Sequence, residues 1–173
     1  MKRNIKRTTG YTRGLTRGAL IAALYVCLCY VSTIFGMSSG VIQFRLSEVL
    51  CVLPIFMPEA IAGLFVGCII SNIMAGCVPW DIVFGSIATL IGAIGAYMLR
   101  NVPEKFKWTA TLPTLFANMI IVPLVLMYAY TDTTDGFFFL SLTVGIGELV
   151  CGVIGGSALY YSMKKSKFVE MIK

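Results

Sequence analysis

Histidine is absent, and among 173 residues only eight are acidic and 14 basic. Without an imidazole the usual proton shuttle near neutral pH is missing, and no zinc site can be completed from histidine. The six cysteines, Cys27, Cys29, Cys51, Cys68, Cys77 and Cys151, form no C-x-x-C pair. They sit inside apolar stretches and read as small packing residues rather than metal or redox groups. A Walker A loop, G-x-x-x-x-G-K-[ST], is also lacking, so the chain is not expected to hydrolyse ATP unaided. Charged residues make up 13% of the chain, against roughly 25% in soluble domains. A soluble fold of this composition would expose apolar surface almost everywhere.

What is abundant is hydrocarbon: 58% of the residues are hydrophobic and the mean hydropathy is +0.86. These values describe an integral membrane protein. At ~20 residues per span plus short loops, the length accommodates about six helices in one domain over residues 1–173, with no sizeable water-soluble module. The formal charge of +6 does not point to nucleic acid. The basic residues gather in a leader (residues 1–14, continuing to Arg17), in one loop and in a tail (residues 164–173), as in a membrane protein oriented by its charges.

Hydropathy and breakers locate the spans. The first is expected over about Leu15 to Phe35, and its apolar core is longer than the ~7–15 residues of a signal peptide, with no convincing A-x-A site after it. It is expected to be retained. Gly36-Met-Ser-Ser-Gly40 breaks that helix, and Val41-Ile-Gln-Phe-Arg-Leu-Ser-Glu48 brings strongly polar groups back toward apolar sequence. A short second helix carrying Pro54 is predicted from Leu46 to Phe56, then a turn at Met57-Pro58-Glu59 and a third helix from about Ala60 to Gly76. Further spans are predicted over Trp80 to Leu99, Thr109 to Tyr130 and Phe138 to Met163. Polar loops at Arg100 to Lys107 and Thr131 to Gly136 separate these last three.

The second helix is short: about eleven residues rise ~16 Å as an α-helix, against a ~30 Å hydrocarbon core. Charge favours its crossing nonetheless. With six spans, every basic residue except Arg45 falls on one side, together with both termini, whereas five spans would put the basic tail opposite the basic leader. Six spans with both ends in the cytoplasm are therefore expected.

Ionisable groups inside spans are costly when they face lipid, so they must face one another or a cavity. Arg45, Glu48, Asp81 and Glu148 are such groups. Arg45 and Glu48, three apart, can pair on one helix face, and Asp81, beside Trp80, can cap the fourth helix. Glu148, in Gly145-Ile-Gly-Glu-Leu149, has no basic residue in its own span. Asn72 and Asn118 also lie deep, where an amide can bond a neighbouring helix. Taken together, Gln43, Arg45, Glu48, Asn72, Asp81, Asn118 and Glu148 come from five helices and one loop, mostly in the outer half of the membrane. That convergence predicts a ligand pocket open to the outside, for a polar ligand rich in hydrogen-bond donors. Phe44, Trp80 or Tyr25 are placed to stack on a flat ring. No metal or cofactor is expected.

The first helix carries a stripe of small residues, Gly14, Gly18 and Ala22, with Ala19 and Ala23 beside it. Another helix can approach such a stripe closely, either within this chain or from a partner subunit.

Several strings carry a family resemblance. They are Arg17-Gly-Ala-Leu-Ile-Ala-Ala-Leu24 with its Ala19-x-x-x-Ala23, Ile42-Gln-Phe-Arg-Leu-Ser-Glu-Val-Leu50 followed by Leu53-Pro54, and Gly63-Leu-Phe-Val-Gly-Cys68 with Asn72. Asp81-Ile-Val-Phe-Gly-Ser-Ile-Ala-Thr-Leu90 and Val144-Gly-Ile-Gly-Glu-Leu149 complete the set. From about Thr16 to Glu148 the chain resembles the substrate-binding S components of energy-coupling-factor (ECF) transporters, in their queuosine-precursor (QueT) branch.

The resemblance implies a six-helix bundle in a prokaryotic plasma membrane, binding a vitamin-like solute near the outer face. It also implies docking through Ala19 and Ala23 onto a transmembrane T component, with two cytoplasmic ATPases driving uptake. The implied ligand is a 7-deazaguanine such as preQ1 or preQ0, with Glu148 and Glu48 serving its donor edge and its aminomethyl group in an order left open. An S component for another vitamin-like solute and a stand-alone proton-coupled carrier remain open as alternatives. A membrane enzyme has no nucleophile, base or metal set to stand on.

Overall fold

The computed structural model describes residues 2–37, 42–129 and 136–166, with side chains from Tyr11 onward. The expected loops at Gly36 to Gly40 and Thr131 to Gly136 lie largely outside the described residues. Among those that are described, every regular element is helical: α1 (Lys2–Ile34), a 3-10 helix (Leu46–Ile55), α2 (Glu59–Met74), α3 (Pro79–Met98), α4 (Leu112–Ala129), α5 (Phe137–Glu148) and α6 (Gly156–Lys165). A π-helical stretch, Leu149–Gly155, joins α5 to α6, so these three form one rod and the bundle has six helices. Among the described residues, four stretches are long and apolar enough to cross a membrane: Tyr11–Ile34, Pro79–Asn101, Glu104–Ala129 and Phe137–Lys165.

Where the helices end follows local chemistry. α1 stops at Gly36, whose φ of +66° only glycine adopts without strain, and the Met37 N–H returns to the Ser32 carbonyl at 2.9 Å. α2 ends the same way at Gly76, φ +71°. Inside α4, Pro123 cannot donate to the Met119 carbonyl. The Ser141 hydroxyl of α5 donates to that carbonyl instead, at 2.9 Å, satisfying a group that hydrocarbon would leave bare. The sequence places a plain loop at Arg100 to Lys107; the structure has short 3-10 turns there, Leu99–Asn101 and Glu104–Thr111.

The second helix differs most from its expected form. As a 3-10 helix its ten residues span ~20 Å at a rise of ~2.0 Å each, longer than an α-helix of that size but still short of the hydrocarbon core. It compensates by sitting in the middle of the bundle, with Ser47, Glu48, Leu50, Cys51, Val52, Leu53 and Pro54 all buried. Ser32 of α1 anchors its start, the hydroxyl accepting from the Leu46 N–H at 3.0 Å.

α1 and α2 pack backbone to backbone. A side chain on Gly63 would collide with the Gly18 main chain, and one on Gly67 would lie 2.9 Å from the Tyr25 Cβ and 3.0 Å from the Ala22 carbonyl. The small-residue stripe is thus divided. Gly18 and Ala22 face α2 inside the protein, while Ala19 and Ala23 stay exposed.

Arg17 of α1, the last turn of α6 and two of the turns between helices meet at one end of the bundle. Arg17 pairs with Glu59 at 3.1 Å, Lys164 with Glu104 at 2.7 Å, and Phe56 stacks on Tyr160. Arg45, at the opposite end of the 3-10 helix from Phe56, lies away from it.

Candidate functional site

The deep polar groups lie toward the opposite end, around the 3-10 helix. Side chains three apart eclipse in a 3-10 helix, which brings Cys51 under Glu48: the thiol donates to Glu48 Oε2 at 3.0 Å. The Tyr25 hydroxyl of α1 donates to Glu48 Oε1 at 2.7 Å. Both Glu48 oxygens are therefore held by neutral donors, with the residue 1% exposed.

Glu148 closes α5, where the π-helical stretch begins. Asn118 of α4 donates from Nδ2 to Glu148 Oε1 at 2.8 Å. Glu148 Oε2 is buried and has no hydrogen-bond partner among the described residues. In a native interior, such an atom calls for an explanation.

The extended segment before the 3-10 helix packs directly on this region. A side chain on Gly147 would collide with the Gln43 carbonyl, so the second glycine of Gly145-Ile-Gly-Glu148 admits the Gln43 main chain beside the acid. Arg45 follows, half-buried. Asp81 and Glu48 both lie close enough to act on its charge, as Glu48 and Arg45 do on that of Glu148. Asn72 lies against Asp81: its Nδ2 is 3.5 Å from the Asp81 carbonyl and 3.6 Å from the Cys68 sulfur. Gly85 makes room for both, since a Cβ there would be 3.2 Å from Asn72 Nδ2 and 3.3 Å from Asp81 Oδ1.

A profile of the QueT transporter family matches residues 15–165. This chain belongs to the QueT transporter family. It is also similar to the queuosine precursor transporter QueT of Lactococcus lactis subsp. cremoris (strain MG1363), with 33% identity over 100 residues, covering 57% of this chain and 58% of that protein. The chain thus matches rather less than two thirds of its relative's length. No solved structure matches. The family and the relative are transporters rather than enzymes, and with its long apolar helices the chain is a multi-pass protein of the cell membrane.

Within this QueT family member, the seven polar residues picked from the sequence form one region. Six enter through side-chain bonds or charges, and Gln43 through its main chain. The simpler alternatives for two of them fare differently. Arg45 makes no ion pair with Glu48 among the described residues. Asp81 is buried in the first turn of α3, and the cap position is Val78, without a side-chain cap.

Trp80 is 63% exposed and stacks on Phe84; with Tyr128 it lines an apolar cavity of about 740 Å³ between α3 and α4. It faces outward and not toward the acids. Tyr25, considered for ring stacking, is instead the donor that holds Glu48. The cysteine reading needs a similar correction, because Cys51 donates to Glu48, and Cys68 lies 3.4 Å from the Thr89 hydroxyl. No disulfide forms among the described residues.

Proposed function

We propose that this chain is the substrate-binding S subunit of an ECF-type importer for a queuosine precursor, a 7-deazaguanine such as preQ1 or preQ0. Its membership of the QueT family supports the reading, and the observation that carries it is the unpartnered Glu148 Oε2. A guanine-like edge presents a ring N–H and an exocyclic NH2 side by side, two donors that match one carboxylate. Asn118 holds the other oxygen and so fixes the carboxylate plane. Glu148 is assigned to the ring edge, because Glu48 already accepts from Tyr25 and Cys51. Glu48 supplies negative charge for the aminomethyl group of preQ1. Asn72, Asp81, Arg45 and Gln43 complete the polar lining.

The basic end, with both termini, faces the cytoplasm by the positive-inside tendency, and the polar region faces out. Exposed Ala19 lines a groove of about 470 Å³ with Gly18, Gly63 and Val66. In this reading the Ala19 and Ala23 face receives the T component, and two ATPases drive the cycle.

A binding panel on the purified chain tests the substrate. preQ1 and preQ0 should raise its thermal unfolding temperature and give saturable calorimetric isotherms, while riboflavin and thiamine do neither. The reverse pattern would replace the 7-deazaguanine by another vitamin-like solute. Replacing Ala19 and Ala23 together by Leu should abolish ATP-driven uptake in the reconstituted complex and spare binding by the isolated chain. Uptake by the chain alone, without T component or ATP, would establish a stand-alone carrier instead.

A further inference from the structure

The last span is rich in glycine, and most of those in its middle have a structural neighbour that explains them. A Cβ on Gly145 would meet the Met119 side chain, on Gly147 the Gln43 main chain, on Gly155 the Val49 side chain, and on Gly156 Thr111. Gly152 is different. It is buried, its backbone is not among the positive-φ glycines, and beyond the chain neighbours and the backbone of its own helix an added Cβ would meet one atom within 4 Å: Glu148 Oε2, at 2.9 Å. Glycine inside a helix is less stable than alanine. Here neither backbone shape nor helix packing requires it.

That one atom is also the oxygen without a hydrogen-bond partner among the described residues. The π-helical stretch begins directly after Glu148, and a π turn inside an α-helix is a common feature of functional sites. We propose that Gly152 is a positioning residue that keeps the ligand-accepting edge of Glu148 bare. A methyl at this position would cover Oε2 and push the carboxylate out of the plane in which Asn118 holds it at 2.8 Å. A donor pair arriving from the ligand would then meet hydrocarbon on one side. The inference rests on the proposed 7-deazaguanine reading, in which Glu148 accepts from the ring edge.

The test uses preQ1 as probe and the full chain in detergent. Gly152→Ala should weaken calorimetric binding by about tenfold or more, while the unfolding temperature without ligand changes little, the helix preference of alanine offsetting the disturbed Asn118 bond. Damage to the fold would instead lower that temperature. In a Glu148→Gln background the same change should add little further loss, because it acts through the carboxylate. Glu148→Asp should restore part of the affinity in the Gly152→Ala chain, the shorter side chain withdrawing from the methyl. Wild-type affinity in Gly152→Ala, or a loss fully additive with Glu148→Gln, overturns the proposal. If the unaltered chain does not bind preQ1, or Glu148→Gln binds it normally, the substrate reading fails first and the role of Gly152 falls with it.

Discussion

Glutamate is used in two ways at the two ends of this bundle. At the basic end, Glu59 and Glu104 each face a cation, Arg17 and Lys164, and remain partly open to solvent. Around the 3-10 helix, Glu48 and Glu148 are buried, and the bonds to them come from a phenol, a thiol and an amide. An exposed carboxylate with a cation beside it is satisfied and inexpensive, so it orients and staples. A buried carboxylate with neutral donors and one oxygen left over is poorly satisfied by its own protein. The difference separates groups that hold the fold together from a group whose remaining bond awaits something else.

The largest expected effect tests that division at its sharpest point. Under the proposed reading, Glu148→Gln keeps the shape but turns one acceptor into a donor that faces the donors of the ring edge in a desolvated site. The cost is about 2–5 kcal/mol, so titration calorimetry should show preQ1 binding weakened by roughly 30-fold or more. Because a neutral amide is easier to bury, the unfolding temperature without ligand should hold or rise. An unchanged dissociation constant would move Glu148 into the same class as Glu59.

Tyr25→Phe comes next, with its effect on stability more than on affinity. Losing the hydroxyl leaves Glu48 Oε1 without its donor where the residue is 1% exposed, at a cost of about 1–3 kcal/mol. For a chain of this size, that lowers the unfolding temperature by roughly 2–4 °C per kcal/mol. Binding of preQ1 should fall much less than in Glu148→Gln. If affinity collapses while stability is untouched, Tyr25 touches the ligand, and the two glutamates exchange roles.

The helix count and the polar set were legible in the sequence because both rest on what hydrocarbon forbids. Spans show up as length without charge, and an Asp, Glu or Asn inside them must turn inward whatever the packing. The alignment of Arg17, Glu59, Glu104 and Lys164 at one end was legible from charge parity. Helix type was not, since neither the 3-10 form of Leu46–Ile55 nor the π turn at Leu149–Gly155 has a compositional signature. Packing selects them, through eclipsed Glu48 and Cys51 and through the glycines beside Glu148. Tyr25 and Cys51 were missed as donors because both are common apolar-span residues whose polar atom matters only once a partner is known. The small-residue stripe was half legible: the pattern shows that a helix approaches, but only the structure separates Gly18 and Ala22, which face α2, from Ala19 and Ala23, which do not.

The smallest effect is expected at the basic end, and its smallness is the point. Arg17 and Glu59 stand 3.1 Å apart with side chains 33% and 23% exposed. Water competes for both charges, and ordering two flexible side chains costs entropy. A double-mutant cycle with Arg17→Met and Glu59→Gln, read by thermal unfolding in detergent, should give a coupling of only about 0.2–1 kcal/mol. Raising the salt from 0.1 M to 1 M shortens the screening length from about 10 Å to about 3 Å, so the coupling should shrink further. Calorimetric binding of preQ1 by the same variants should match the unaltered chain, since neither residue approaches Glu148. A coupling above about 2 kcal/mol that ignores salt would mean that this pair is shielded from water. The contrast between a solvated basic end and a buried acidic centre would then no longer explain why, among the described residues, the buried carboxylate oxygen without a partner is that of Glu148.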